Sequence, residues 1–339
     1  MSAIRSLVIL TNADAIPAEW TAANGERGTA ILARSAGECL RQLRHCDVVL
    51  IDCDPALLLC LSAIFTLLPF LRRPLVGSDI VLRTPEDLWR RLTLPAKRFL
   101  LSRVDRFIHA FKDLSGYQRV FGIGPERSCF VPFKPNLRYH CEAEPNPDGE
   151  YVLCFGRSMR DFDTFFDAVE RLPYPAAIAN VKVESLRAHG SRFTRPLARL
   201  PKQVRLLKHD PGDYQSQVEV LRGAKLVVVP LLKSCLVATG TPLDAMLLGK
   251  CVVVTEGPAT NGLFTDEVLT VPPEDPGALA EVIDRAWQDR ALRERTAEAG
   301  YRYALALGGE PELAHRLVDL VVGWYRSGPG RESVASAGR

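Results

Sequence analysis

The sequence contains no Cys-x-x-Cys pair, although it holds nine cysteines, at positions 39, 46, 53, 60, 129, 141, 154, 235 and 251. The first four recur every seven residues, but that interval crosses an expected helix, strand and helix. They share no face, so neither a heptad nor a metal cluster is expected from them. Several others fall inside apolar strands, where free Cys behaves as a small hydrophobe, and this usage fits a reducing cytoplasm. Charge of one sign is also missing: 43 Lys and Arg against 40 Asp and Glu leave a net charge of +3. No basic motif interleaved with aromatics occurs, which argues against a nucleic-acid partner. No apolar run is long enough to span a bilayer with ease. The longest, Pro55 to Leu71, has seventeen uncharged residues, short of the ~20 a spanning helix needs, and Pro69 weakens its last turn. It follows the strand Val48 to Asp52 and reads as a buried crossover helix, with membrane insertion as the alternative. The start, MSAIRSLVILTNADA, reads as a first strand and not as a leader.

The 339 residues suit two domains and not one core. Charge is divided unevenly between them. Residues 1–140 hold 19 Lys and Arg against 13 Asp and Glu; residues 141–339 hold 24 against 27. A basic first half fits an anionic partner such as a membrane surface or a phosphorylated acceptor; random surface charge gives the same count. Short apolar strands alternate with helical segments throughout. In the first half the strands are Leu7 to Thr11, Val48 to Asp52, Pro74 to Val76, Arg106 to Ala110 and Ser128 to Pro132. In the second they are Val152 to Phe155, Val204 to Leu207, Lys225 to Pro230, Cys251 to Thr255 and Val268 to Val271. The expected fold class is therefore α/β, with parallel doubly wound sheets. The polar stretch Tyr139 to Gly149 reads as a linker, and residues 328–339 as a disordered tail.

Two turns carry the candidate chemistry. The strand YVLCF (Tyr151 to Phe155) ends in Gly156-Arg157-Ser158-Met159-Arg160-Asp161, before a helix from about Phe162 to Leu172. Gly156 permits close backbone approach. Arg157 and Arg160 supply guanidinium forks that match phosphate oxygens. Further on, Ala238-Thr239-Gly240-Thr241-Pro242 opens an apolar helix, Leu243 to Leu248, and Gly249 closes it. Such a turn presents backbone N–H groups and the positive end of a helix dipole, which suits a phosphate. Asp244 in its first turn is placed to accept a ribose hydroxyl; an ordinary helix start is the plainer alternative.

Together these segments resemble the C-terminal domain of GT-B glycosyltransferases, the large retaining family 4 in particular. Gly156-Arg157 and Arg160 stand where that family grips the donor diphosphate. Gly240, Asp244-Ala245-Met246 and Gly249-Lys250 follow in the family's order, and VPPEDPGALA (Val271 to Ala280) is similar to its usual helix entry. The resemblance implies two Rossmann-like domains with a cleft, residues 1–140 binding the acceptor and 150–308 the nucleotide sugar, and a last helix, 311–326, packing back on the first. It implies donor contacts from Gly156, Arg157, Arg160, Thr239, Gly240, Thr241 and Asp244, with Arg157 and Arg160 also catalytic. The acceptor would enter over Gly77, Ser78 and Asp79, with Asp79 as its base or, alternatively, as a helix cap. One departure stands out. Of the family's two glutamates eight positions apart, the second aligns with Asp244 and the first falls on Leu236; Ala238-Thr239-Gly240 is similar to a small-residue variant of that turn. A catalytically degenerate nucleotide- or partner-binding protein is therefore the alternative to a transferase, and an epimerase reading lacks a convincing pair of cleft carboxylates.

Other candidates are plainer. His109 reads as a core histidine, and Lys134 as a phosphate contact or a solvated side chain. The triplets Asp52-Cys53-Asp54 and Asp161-Phe162-Asp163 read as helix caps and not as a divalent-metal site, so no metal or cofactor is expected beyond the nucleotide sugar. The segment from Trp89 to Arg106 carries six Lys and Arg among Leu, Phe and Val. It reads as an interfacial amphipathic stretch or as the exposed face of a core helix. A peripheral place on the inner face of the membrane, with a carbohydrate, lipid-linked or small-molecule acceptor, is the corresponding expectation.

Overall fold

The computed structural model describes residues 6–85, 87–142, 144–146, 148–179, 182–210, 212–237 and 240–328. Contacts divide them into two compact units. The first runs to Ala110, resumes over Leu114–Pro132 and includes the stretch beginning at Glu310; the second takes Phe111–Asp113 and Phe133–Gly309.

The first unit is a seven-stranded sheet. Its strands are β1 (Leu7–Thr11), β2 (Glu19–Thr21), β3 (Arg27–Leu32), β4 (Val48–Asp52), β5 (Leu75–Ser78), β6 (Arg106–His109) and β7 (Ser128–Phe130), in the order β2-β3-β1-β4-β5-β6-β7. Every pairing is parallel except β2 with β3. Runs such as VVLID in β4 are buried on both faces, as a parallel sheet covered by helices requires. The crossover helices are α1 (Ala36–Gln42), α2 (Pro55–Leu67), α3 (Leu88–Leu101) and α4 (Ser115–Phe121). The final helix, α11 (Glu310–Arg326), buries Ala314, Leu317, Val318, Val321 and Val322 against Leu7, Ile9, Val48, Leu50, Val76 and Ile108. The apolar stretch after β4 folds as α2, thirteen residues with Leu57, Leu58, Leu61 and Phe65 buried. No helix among the described residues is long and apolar enough to cross a membrane.

The second unit is a wholly parallel six-stranded sheet of β8 (Tyr151–Cys154), β9 (Ala176–Ala179), β10 (Val204–Leu207), β11 (Ala224–Val229), β12 (Cys251–Thr255) and β13 (Leu269–Val271), ordered β10-β9-β8-β11-β12-β13. Its helices are α5 (Phe162–Val169), α6 (Val183–Ala188), α7 (Tyr214–Arg222), α8 (Gly240–Leu247), α9 (Pro276–Gln288) and α10 (Arg290–Leu307). The chain lays β9 and β10 on one side of β8, then β11 to β13 on the other. This creates a topological switch point between β8 and β11, the crevice where open α/β sheets receive ligands. In the first unit the corresponding switch lies between β1 and β4, where Asn12 exchanges hydrogen bonds of 2.9 and 2.7 Å with the backbone of Asp52.

Several expectations shift. The helix expected over Leu243 to Leu248 begins at Gly240 instead, so Gly240 and Thr241 form its first turn. The β2–β3 hairpin and β9 were not foreseen. Thr239 and the tail from residue 329 lie outside the described residues.

Candidate active site

At the switch point of the second sheet, the loops after β8 and β11 and the start of α8 enclose a cavity of about 340 Å³. Six residues singled out in the sequence line it: Gly156, Arg157, Arg160, Gly240, Thr241 and Asp244. The loop after β8 is firmly held. Arg160 N–H donates to Ser191 Oγ at 2.8 Å, Ser191 Oγ–H donates to the Arg157 carbonyl at 2.7 Å, and Asp161 N–H reaches the Pro230 carbonyl at 2.8 Å. Asp161 caps α5 through Thr164 N–H and pairs with Arg192. Asp54 caps α2 in the same way through Leu57 N–H. The two acidic triplets thus serve helix starts.

Arg160 forms the floor of the cavity and is 4% exposed. Its Nε donates to the Phe155 carbonyl (3.0 Å), one terminal nitrogen to the Ser158 carbonyl (2.8 Å) and the other to Thr241 Oγ1 (2.9 Å). These are neutral acceptors; no carboxylate among the described residues pairs with it. Burial pulls its pKa below the ordinary arginine value. A buried cation without a counter-charge is costly, and its remaining N–H donors have room for an anion. Gly156 makes this arrangement possible. Its φ is +104°, and a Cβ there would stand 2.5 Å from the Arg160 guanidinium. Arg157, on the same loop, is exposed.

Asp244, expected to contact the ribose, lines the cavity and also has a structural task. It is 1% exposed, and four protein donors occupy its carboxylate: Asn136 N–H (2.6 Å), Leu137 N–H (3.0 Å), Asn136 Nδ2 (3.0 Å) and Gln217 Nε2 (3.1 Å). Burial pushes its pKa up, and these donors pull it back. The residue clamps segment 136–137 and α7 to α8. Lys250, from the same family-like pattern, is fully buried and donates to the carbonyls of Asp148 and Arg222. It closes the end of α7, and burial lowers its pKa to about 8. Leu236, at the position of the missing glutamate, is buried at 7% exposure. The sequence reading missed Asn136, His209 and Gln217, which also line the cavity; the adjoining Lys134-Pro135-Asn136 was the available signal.

In the first unit, Gly77 and Ser78 end β5 and are buried, and Asp79 follows at φ +44°, a conformation that Asp tolerates better than most residues. A Cβ on Gly77 would press Ile80 and Leu58 at 3.0 Å. Asp79 Oδ2 accepts from the Cys53 thiol at 3.7 Å, while Oδ1 is sealed from water and meets no donor. Burial, with nearby Asp52 second, pushes Asp79 up to about 6. It caps no helix; α3 is capped by Asp87. His109 is buried, 3.2 Å from Ser128 Oγ and packed against Phe107 and Tyr117.

Residues 149–289 match the family model of Glycosyl transferases group 1. The chain has the GT-B fold. Its structure is similar to that of Anabaena HepE in complex with UDP and glucose, at 15% identity and a TM-score of 0.63, covering 84% of this chain and 80% of that one. It is also similar to sucrose-phosphate synthase from Thermosynechococcus elongatus (15% identity, TM-score 0.61, 95% and 89% covered) and to a glycosyltransferase from Rickettsia africae (11%, 0.59, 86% and 84%). At these identities the structural likeness establishes the fold alone. A comparison with curated proteins finds no match by sequence.

Proposed function

We propose that this protein is a glycosyltransferase that moves a sugar from a nucleoside diphosphate sugar to an acceptor, with the donor diphosphate seated on Arg160 and Arg157. The observation that carries this reading is the buried Arg160 guanidinium, which has no carboxylate partner among the described residues and lines a cavity at the switch point. Complexes with UDP and glucose in the similar HepE protein support it. As the glycosidic bond breaks, negative charge builds on the leaving diphosphate. Two guanidinium groups already in place stabilise that charge without reorganisation. Gly240 and Thr241 open α8, whose N-terminal end adds a favourable dipole. In this reading the arginines supply the cationic charge, so transfer proceeds without a divalent metal, and the sugar keeps its anomeric configuration.

The acceptor is received in the first unit over Gly77, Ser78 and Asp79. A carboxylate held at about 6 is well matched to take a hydroxyl proton near neutral pH. The enzyme acts from the inner face of a membrane on a lipid-linked or cell-surface glycan. The test is a thermal-shift series with UDP, GDP, ADP and TDP, on the wild type and on Arg157→Ala. A ligand bound only by the folded state raises its stability. One diphosphate is expected to stabilise the wild type selectively, and Arg157→Ala to lose that gain. No shift with any diphosphate, or an equal shift in the variant, contradicts the donor site.

A further inference from the structure

Helix α3 (Leu88–Leu101) is oriented against the usual rule. Its large apolar side chains face solvent: Leu88 is 74% exposed, Trp89 73%, Leu92 66% and Phe99 49%. Leu101 is its one fully buried residue. Leu88, Leu92, Pro95 and Phe99 recur at steps of four, three and four, the spacing of a single helical stripe. Trp89 and Ala96 widen it to an arc of roughly 120° at 100° per residue. The opposite side holds the helix to the unit. There Leu101 is buried, Leu94 is partly covered, and Lys97 lies 5.3 Å from the Phe121 ring centre. The helix therefore has an apolar face that the described residues leave largely exposed, beyond what its packing needs.

The charge beside this face has one sign. From Leu88 to Arg103 there are five Lys or Arg and no carboxylate. By helical spacing, Arg91 and Arg98 flank the stripe on one side. Arg103 lies over the Phe99 ring at 4.8 Å, at the end of the stripe. An exposed Trp beside Leu and Phe, edged by arginines whose stems can lie along apolar surface, suits the boundary between acyl chains and headgroups.

We propose that the outer face of α3 is a membrane-docking surface for anionic lipid, with Leu88, Trp89, Leu92 and Phe99 entering the interface and Arg91 and Arg98 meeting lipid phosphates. The inference gives the membrane role above a specific surface, and it stands on α3 alone, whatever the donor site binds. It is tested without nucleotide, so its failure would leave the diphosphate site untouched.

The experiment is co-sedimentation of the full chain with vesicles of phosphatidylcholine alone and of equal parts phosphatidylcholine and phosphatidylglycerol. Binding is expected to the anionic vesicles and to weaken with salt. Leu92→Ser with Phe99→Ser is expected to lower binding at least about tenfold. Arg91→Gln and Arg98→Gln are each expected to lower it about fivefold and to flatten the salt dependence. Trp89 emission should shift to the blue and be quenched by brominated lipid, and Trp89→Phe should lose that signal. All these positions are exposed, so unchanged circular dichroism and melting temperature establish that the variants are folded. Absence of binding to anionic vesicles, or equal binding by the Leu92/Phe99 variant, overturns the proposal. So does a concentration-dependent dimer that the same variant abolishes, since the stripe would then meet a second copy of the chain.

Discussion

The two sheets are built alike, yet their carboxyl ends carry opposite charges. After β5 of the first unit, the Asp79 carboxylate stands beside Asp52 with one oxygen that meets no donor. After β8 of the second, the Arg160 guanidinium is buried among neutral acceptors, with no carboxylate partner among the described residues. Each is a polar group that folding alone would not retain, because an uncompensated buried charge or an orphaned oxygen costs stability. The fold provides a crevice at the end of a parallel sheet. In the proposed reading, the chemistry at each carboxyl end rests on one side chain, Asp79 in the first unit and Arg160 in the second. One end is suited to attract a proton, the other to hold a departing anion.

Removing the cation should have the largest effect. Arg160→Met is expected to cut glycosyl transfer about 10²–10³-fold, the size seen when a preorganised charge-stabilising donor is lost. Its fold should survive, since an apolar side chain replaces a desolvated charge; transfer assays together with melting curves test both. Next is the anionic end. Asp79→Asn is expected to lower turnover about 10²-fold or more, by removing the proton acceptor. The same change should raise stability. The folded-state pKa of Asp79, about 6, lies above its ordinary 3.8, so its stabilising contribution is present below 3.8 and is lost as pH rises through about 6. At neutral pH, Asp79→Asn should therefore be stabler by about 1–3 kcal/mol, and the difference should vanish near pH 4. Denaturant melts across that range measure it. An Asp79→Asn variant that loses both activity and stability would contradict the comparison.

A smaller effect sharpens the cationic side. Gly156→Ala forces a Cβ against the Arg160 guanidinium at a φ that L side chains rarely adopt. Activity should fall about tenfold or more through displacement of that side chain, with a stability loss of about 1–2 kcal/mol. The smallest expected effect on chemistry is at Asp244. Asp244→Ala strands four donors in a buried place. Melting should show a loss of about 1–3 kcal/mol. If Asp244 also touches the ribose, Asp244→Asn should weaken UDP binding with little change in melting temperature; unchanged UDP binding would contradict that role.

Much of this plan was legible in the sequence, for identifiable reasons. Runs such as YVLC and CVVVT are buried on both faces and bounded by turn residues, so β8 and β12 were visible locally. Gly156, Arg157 and Arg160 lie within one loop, and their chemistry needs no distant partner to be suspected. The strand β9 was hidden because AAIA has weak strand preference and is set by its neighbours on both sides. Likewise β3 alternates too little to stand out. What local reading could not supply was pairing at a distance. Asp244 looked free because Asn136 lies 108 residues away, and Asp161 finds Arg192 31 residues on. The solvent-facing side of α3 was likewise ambiguous: a sequence shows that a helix has an apolar stripe, and only packing shows which stripe the core leaves uncovered.

The most direct test of the central claim is calorimetric titration of UDP and UMP into the wild type and Arg160→Met. If Arg160 is the diphosphate seat, the wild type should prefer UDP over UMP clearly, and Arg160→Met should lose that preference while keeping its fold. An unchanged preference in the variant would contradict the account.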